Sequence, residues 1–296
     1  MFFSWNPMAW RGQKTMTGAW RWRLSLAVVF FSTAAAAEPS GMQSVDDPEA
    51  RAHVHMAQDP PDWSAARDAF AEAADSGSST AMAYLGWIHE EGHGVPRDGG
   101  KAAKWYGRAA MAGADDFAVK LGWMYLGGQG VDSNRDLAEH WFRHAIDAGH
   151  GPARIAWASV LIADAQGGLN PESVFEAREL LEVALEEGFE LASYFLARLF
   201  IEGIGAHPVE DDMAAYYTRI GAESGDSRMQ GWLALMFAEG RGVERNLVQA
   251  SKWANLAAAN GDRMGEDLRL VLEQELEPEA VQEARRLAVE WALEQR

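Results

Sequence analysis

The chain of 296 residues contains no cysteine. That excludes disulfides and any lipid attached through a cysteine thiol, so the fold must hold by packing alone. Basic residues are the minority charge: 26 Lys and Arg stand against 44 Asp and Glu, a net −18. Nucleic acid and anionic lipid recruit clustered Lys and Arg, so both are disfavoured as partners. Long apolar runs are also missing. The run from Leu24 to Phe31 falls well short of the roughly 20 residues that a membrane-spanning helix needs. What is present points to an ordered chain: 48% of residues are hydrophobic, 13 are Trp, and 29 are Gly that never form a low-complexity tract.

The N-terminus has the make-up of a secretory signal. Arg21 and Arg23 precede the apolar run, and Ser32-Thr33-Ala34-Ala35-Ala36-Ala37 follow it. Ala35 and Ala37 occupy the small-residue positions, so residues 1–37 are expected to be removed, with cleavage before Glu38. Met16 would begin a signal of more ordinary length than Met1 or Met8. Cleavage would leave 44 acidic and 22 basic residues, a net −22. The expected location is the periplasm or the exterior, with no stable membrane insertion after cleavage; an uncleaved segment acting as an anchor is the alternative.

The chain repeats itself. Leu85-Gly86-Trp87 recurs as Leu121-Gly122-Trp123, Trp105 as Trp141 and Gly113 as Gly149, each at a shift of 36. Weaker copies start at Ile155-Ala156-Trp157, Leu196-Ala197-Arg198 and Leu233-Ala234-Leu235. Closing glycines then fall at 113, 149, 188, 225 and 261. A period of this length marks stacked two-helix units, none of which can bury its apolar face alone. Within a unit, Ala81 to Glu91 has helical spacing, Gly92-His93-Gly94-Val95-Pro96 breaks it, and Asp98 opens a second helix that Gly113 ends.

These positions resemble the Sel1-like repeat, a relative of the tetratricopeptide repeat. The resemblance is carried by Leu85-Gly86, Gly92-His93-Gly94-Val95, Lys101-Ala102, Trp105-Tyr106, Ala109-Ala110 and Gly113. It is strong for 81–114, 117–150 and 229–262, and weaker for 152–188 and 192–225. The expected fold is therefore an all-α, right-handed α-solenoid. Its parts are expected to be a flexible segment 38–61, a lone helix of a partial leading repeat in 62–80, about five repeats over 81–262, and a helical cap over 263–296.

The resemblance also implies an inner groove. In tetratricopeptide-like solenoids the residue after the small position faces that groove, which makes Trp87, Trp123, Trp157, Arg198 and Leu235 a candidate binding stripe, with Glu90 one turn on. Trp and Arg are enriched at binding hot spots. Packing between repeats is the competing reading of the same indoles. The family contains scaffold and signalling proteins, so a protein or peptide segment is the expected partner and polysaccharide the second candidate, since aromatic ladders stack on sugar rings. Some cysteine-rich members are described as β-lactamases, but this chain has no cysteine to stitch its repeats that way, and no enzyme activity is expected.

Other motifs carry less. His89-Glu90-Glu91-Gly92-His93 has the spacing of a zinc-protease motif, yet His93 lies between two glycines of a loop, where i,i+4 helical geometry fails. His140 and His144 stand four apart, short of the four ligands of structural zinc, and are expected to face solvent. His53-Val54-His55 is weaker still. The glycine loops lack the Lys-Ser/Thr or βαβ context of a phosphate cradle, and no nucleophile motif occurs. No metal or cofactor is expected.

Overall fold

A computed structural model describes residues 47–295; the expected signal segment 1–37 lies outside them. Fourteen helices and no strand are found among the described residues. Helices α1 (Pro48–Met56) and α2 (Trp63–Asp75) form a leading pair. Five further pairs follow: α3 (Ser79–Glu91) with α4 (Gly99–Met111), α5 (Asp115–Gly127) with α6 (Arg135–Asp147), α7 (Gly151–Gln166) with α8 (Ser173–Glu186), α9 (Leu191–Glu202) with α10 (Asp211–Glu223), and α11 (Ser227–Glu239) with α12 (Leu247–Ala259). Helices α13 (Arg263–Glu275) and α14 (Pro278–Glu294) both pack on α12 and close the stack. The fold is an all-α helical-repeat solenoid.

Residues 48–56 correct the expectation of a flexible segment over 38–61 and of a lone leading helix. Asp47 caps α1 by accepting the Glu49 backbone N–H, and Pro48 sits at the first helical turn, where its missing N–H costs nothing. Ala52 is fully buried, and His53 sets its ring edge-on to Phe70 and Tyr84. The leading pair is thus complete.

Two kinds of close approach make the units stack. Inside a unit, a glycine on the first helix admits a ring from the second. A Cβ at Gly86 would lie 2.5 Å from the Tyr106 ring, and one at Gly122 would lie 2.7 Å from Phe142. Between units, the inter-helix loop of every repeat but the third carries two left-handed glycines. The first, such as Gly92 at φ 77°, ends the helix; the second, such as Gly94 at φ 67°, presses on the start of the preceding second helix, here at Trp63. Gly130, Gly205 and Gly242 do the same against Gly99, Pro171 and Asp211. The glycine-rich loops are packing elements of the solenoid.

Candidate binding surface

The register of each first helix is set by the glycine that closes the preceding unit. Those glycines, at 77, 113, 149, 188, 225 and 261, all have positive φ. Eight residues after the first five stand Leu85, Leu121, Trp157, Leu196 and Leu233, and every one is 2% exposed or less. Ten residues after the six glycines stand Trp87, Trp123, Ser159, Arg198, Leu235 and Val271, and these are half-buried or exposed in all six units. A row of partly accessible residues therefore does run along the first helices.

Trp157 is not in that row. Placing Ile155-Ala156-Trp157 on Leu85-Gly86-Trp87 shifts the third unit by two residues; the structure puts Trp157 at the leucine position and Ser159 in the row. The indole is 1% exposed, stacks on Phe142 at 5.5 Å, and donates its N–H to Glu176 at 3.3 Å. Arg135 covers its face, 5.4 Å from the ring centre. Trp157 is a core residue, and this corrects its place in the stripe.

The remaining stripe residues sit as follows. Trp87 is half-buried, with Trp63 at 5.9 Å, Tyr84 at 6.5 Å and His93 at 4.3 Å. Trp123 is half-buried and meets Phe142 edge-on at 5.2 Å. Arg198 makes two 3.0 Å hydrogen bonds to Glu202, four residues on, and these raise the pKa of its guanidinium. Leu235 is half-buried. Glu90 proves to be a strut between units: it accepts from the Tyr106 hydroxyl and the Lys120 ammonium, each at 2.6 Å. Burial, and then the Glu90 charge, push the Tyr106 hydroxyl far above its ordinary pKa, so it remains a proton donor to Glu90 at neutral pH.

Two aromatic groups on this side were not visible in the sequence. At the N-terminal end, His93 lies between Trp63 at 4.2 Å and Trp87, while Phe70 stacks on Tyr84 at 4.7 Å. Towards the other end Tyr194 stacks on Trp232 at 5.4 Å, with the Arg228 guanidinium 4.3 Å from the Tyr194 ring. Each group joins residues from different units at unequal register positions, so no linear spacing announces it.

The histidine motifs fare as their register suggests. Helix α3 ends at Gly92, so His93 leaves it and cannot share a face with His89. Burial lowers the pKa of both rings and favours their neutral forms. His140 is exposed as expected, but His144 is half-buried against Trp141. Among the described residues no three His, Cys, Asp or Glu side chains are grouped as a metal ion would require, and no helix is long and apolar enough to cross a membrane.

The Sel1 repeat model matches residues 79–113, 116–150, 191–226 and 227–262. The chain is a Sel1-repeat protein. Among solved structures it is similar to c5321, a protective antigen of uropathogenic Escherichia coli strains with an SLR fold, at 27% identity and a TM-score of 0.62 over 82% of this chain. The match covers 52% of that antigen, so the chain spans about half its length. A Sel1 repeat protein from Oxalobacter formigenes matches at 26% identity and a TM-score of 0.54, over 73% of this chain and 89% of its own. No curated protein matches the chain. Residues 151–190, left out of the family match, are those of the unit that carries Trp157 at the leucine position.

Proposed function

We propose that this Sel1-repeat protein is a binding scaffold that holds a segment of a partner protein along the row Trp87, Trp123, Ser159, Arg198, Leu235. Sel1-repeat solenoids are commonly protein-interaction scaffolds, and the repeat fold is typically non-catalytic. The observation that carries the reading is the row itself. One register position stays partly accessible in six successive units while its neighbour two residues back is buried in the first five. A solenoid presents such rows as extended binding surfaces. Trp87 and Trp123 are rigid aromatic anchors of the type that dominates interface energetics. Export to the periplasm is part of the proposal and rests on the composition of residues 1–37.

The test is capture by cross-linking in the periplasm with mass spectrometry of the products, followed by Trp87→Ala combined with Trp123→Ala. The expected result is an intact fold by circular dichroism with at least tenfold weaker binding of the captured partner. An intact fold with unchanged affinity refutes the row as the contact surface. Absence of the chain from a periplasmic fraction refutes the location and leaves the row standing.

A further inference from the structure

A second surface runs along α4 of the first repeat and reaches Trp141 in α6 of the second. Six residues before each closing glycine stand Ala71, Gly107, Arg143, Glu182, Arg219 and Asn255. Gly107 alone has no side chain, and a shallow, widely open hollow of about 650 Å³ lies beside it. Ala103, Lys104, Gly107, Arg108 and Met111 of α4 and Ala112 at its end line its length, with Trp141, Met82 and Tyr125 also in its lining. The Trp141 ring approaches where a Gly107 Cβ would stand to 3.4 Å, so the indole roofs the gap without closing it. Met111 is 70% exposed and adds apolar surface to the lining of the hollow.

The charge here is opposite to that of the chain. Helix α4 carries Lys101, Lys104 and Arg108 and no carboxylate, a combination found in no other described helix of a chain with net charge −18. Lys104 and Arg108 are one turn apart and both exposed on the hollow's rim. Lys104 has no ion-pair partner among the described residues. Arg108 lies 4.4 Å above the Trp105 ring and 3.5 Å from Asp75, the carboxylate at that end. Lys101 is paired with its own helix cap, Asp98.

We propose that this hollow docks an acidic amphipathic peptide segment of a partner protein: an aromatic or Leu side chain enters over Gly107 between Met111 and Trp141, and flanking carboxylates meet Lys104 and Arg108. An apolar floor edged by Lys104 and Arg108 fits that chemistry. The surface is separate from the Trp87–Leu235 row, and either can fail without the other.

The probe is a fluorescein-labelled 14-residue synthetic peptide with Leu and Phe at i, i+3, i+4 and i+7, a few Glu flanking them and Ala or Gln elsewhere, beside a copy with Gln replacing Glu. Fluorescence anisotropy at about 0.15 M salt, where long-range charge effects are screened, should show tighter binding of the Glu-containing peptide than of the Gln copy. Lys104→Glu with Arg108→Glu should weaken binding at least tenfold. Gly107→Gln fills the hollow without altering charge, at a helical position, and should do the same while leaving the circular dichroism spectrum and Tm near wild type. Trp87→Ala with Trp123→Ala should leave this affinity unchanged. The proposal is overturned if the Glu peptide does not bind below about 1 mM, a free energy of roughly −4 kcal/mol. Equal affinity of wild type and Gly107→Gln overturns it as well. Co-sedimentation with phosphatidylglycerol vesicles that depends on Lys104 and Arg108 overturns it in favour of a lipid surface.

Discussion

The second and third repeats fill the space between their two helices in opposite ways. In the second, the small residue Gly122 is on the first helix and the ring, Phe142, comes from the second helix. In the third, the ring is on the first helix as Trp157, followed by Ala158, and the second helix answers with Leu181. All of these side chains are fully buried or nearly so. The loops differ accordingly. Helix α5 has 13 residues and ends on left-handed Gly128, whereas α7 has 16, ends on Gly167 at φ −75°, and delays the left-handed glycine to Gly168. The unit therefore conserves its filled volume and its closing glycine, while the side from which the bulk comes is free to change.

The largest effect expected from this comparison is that of Trp157→Ala. It removes a buried ring between Phe142 and the Arg135 guanidinium and leaves Glu176 without the indole N–H. The loss should be about 3–5 kcal/mol in chemical denaturation. Trp123→Ala removes a half-buried indole and should cost roughly 1–2 kcal/mol. If the two substitutions prove equally costly, the register that separates core from row is wrong.

Next in size is an exchange of packing mode. Gly122→Ala places a Cβ 2.7 Å from the Phe142 ring and should cost about 1–3 kcal/mol. Adding Phe142→Leu gives the second repeat the Ala/Leu pair of the third, and the double variant should be more stable than the sum of the single losses predicts. Phe142 also touches Trp123 and Trp157, so recovery will be partial. A strictly additive double-mutant cycle would show that the ring and the glycine are not coupled.

The solenoid was legible because its punctuation is chemical: left-handed glycines recur at nearly fixed spacing, and only glycine adopts that backbone cheaply. The stripe was legible only where the units are alike. In the third repeat the resemblance of Ile155-Ala156-Trp157 to Leu85-Gly86-Trp87 outweighed the count from Gly149, which alone places Trp157 in the core. Helix α1 had a readable start in Asp47-Pro48-Glu49, but its short length gives little helical periodicity. The Trp63–His93–Trp87 and Tyr194–Trp232 groups had no sequence signal, since they exist only once separate units are stacked. Gly107 was equally silent, because a missing side chain matters only beside Trp141.

A smaller difference concerns helix starts. Asn134 accepts the Leu137 backbone N–H at 3.0 Å and Asn246 accepts that of Gln249 at 3.0 Å, whereas Glu172, before the second helix of the third repeat, accepts none and lies in a helical backbone conformation. Asn134→Ala or Asn246→Ala should each cost about 1 kcal/mol in denaturation midpoint. Glu172→Ala should change it by less than half of that, and an equal loss would show a capping contact in the third repeat that the backbone geometry does not provide.

The smallest effect lies at the junction of the two repeats and disappears in acid. His150 caps α7 by accepting the Ala153 N–H at its Nδ1, 3.2 Å away. That assigns the ring proton to Nε2, which donates to Asp116 of α5 at 2.9 Å. The hydrogen bond from His150 holds the Asp116 carboxyl below its ordinary pKa. A carboxylate whose pKa is lower in the folded than in the unfolded chain stabilises the fold above the unfolded value, near 3.9. The contribution is lost as pH falls through the lower folded value, because protonated Asp116 no longer accepts. Asp116→Asn should therefore lower the neutral-pH midpoint by a small amount, as expected for an exposed pair, and flatten the dependence of stability on pH below about 4. Denaturation midpoints of the two chains measured from pH 7 to pH 3 should converge at the acid end. If the wild-type excess persists unchanged to pH 3, the His150–Asp116 contact does not join these two repeats.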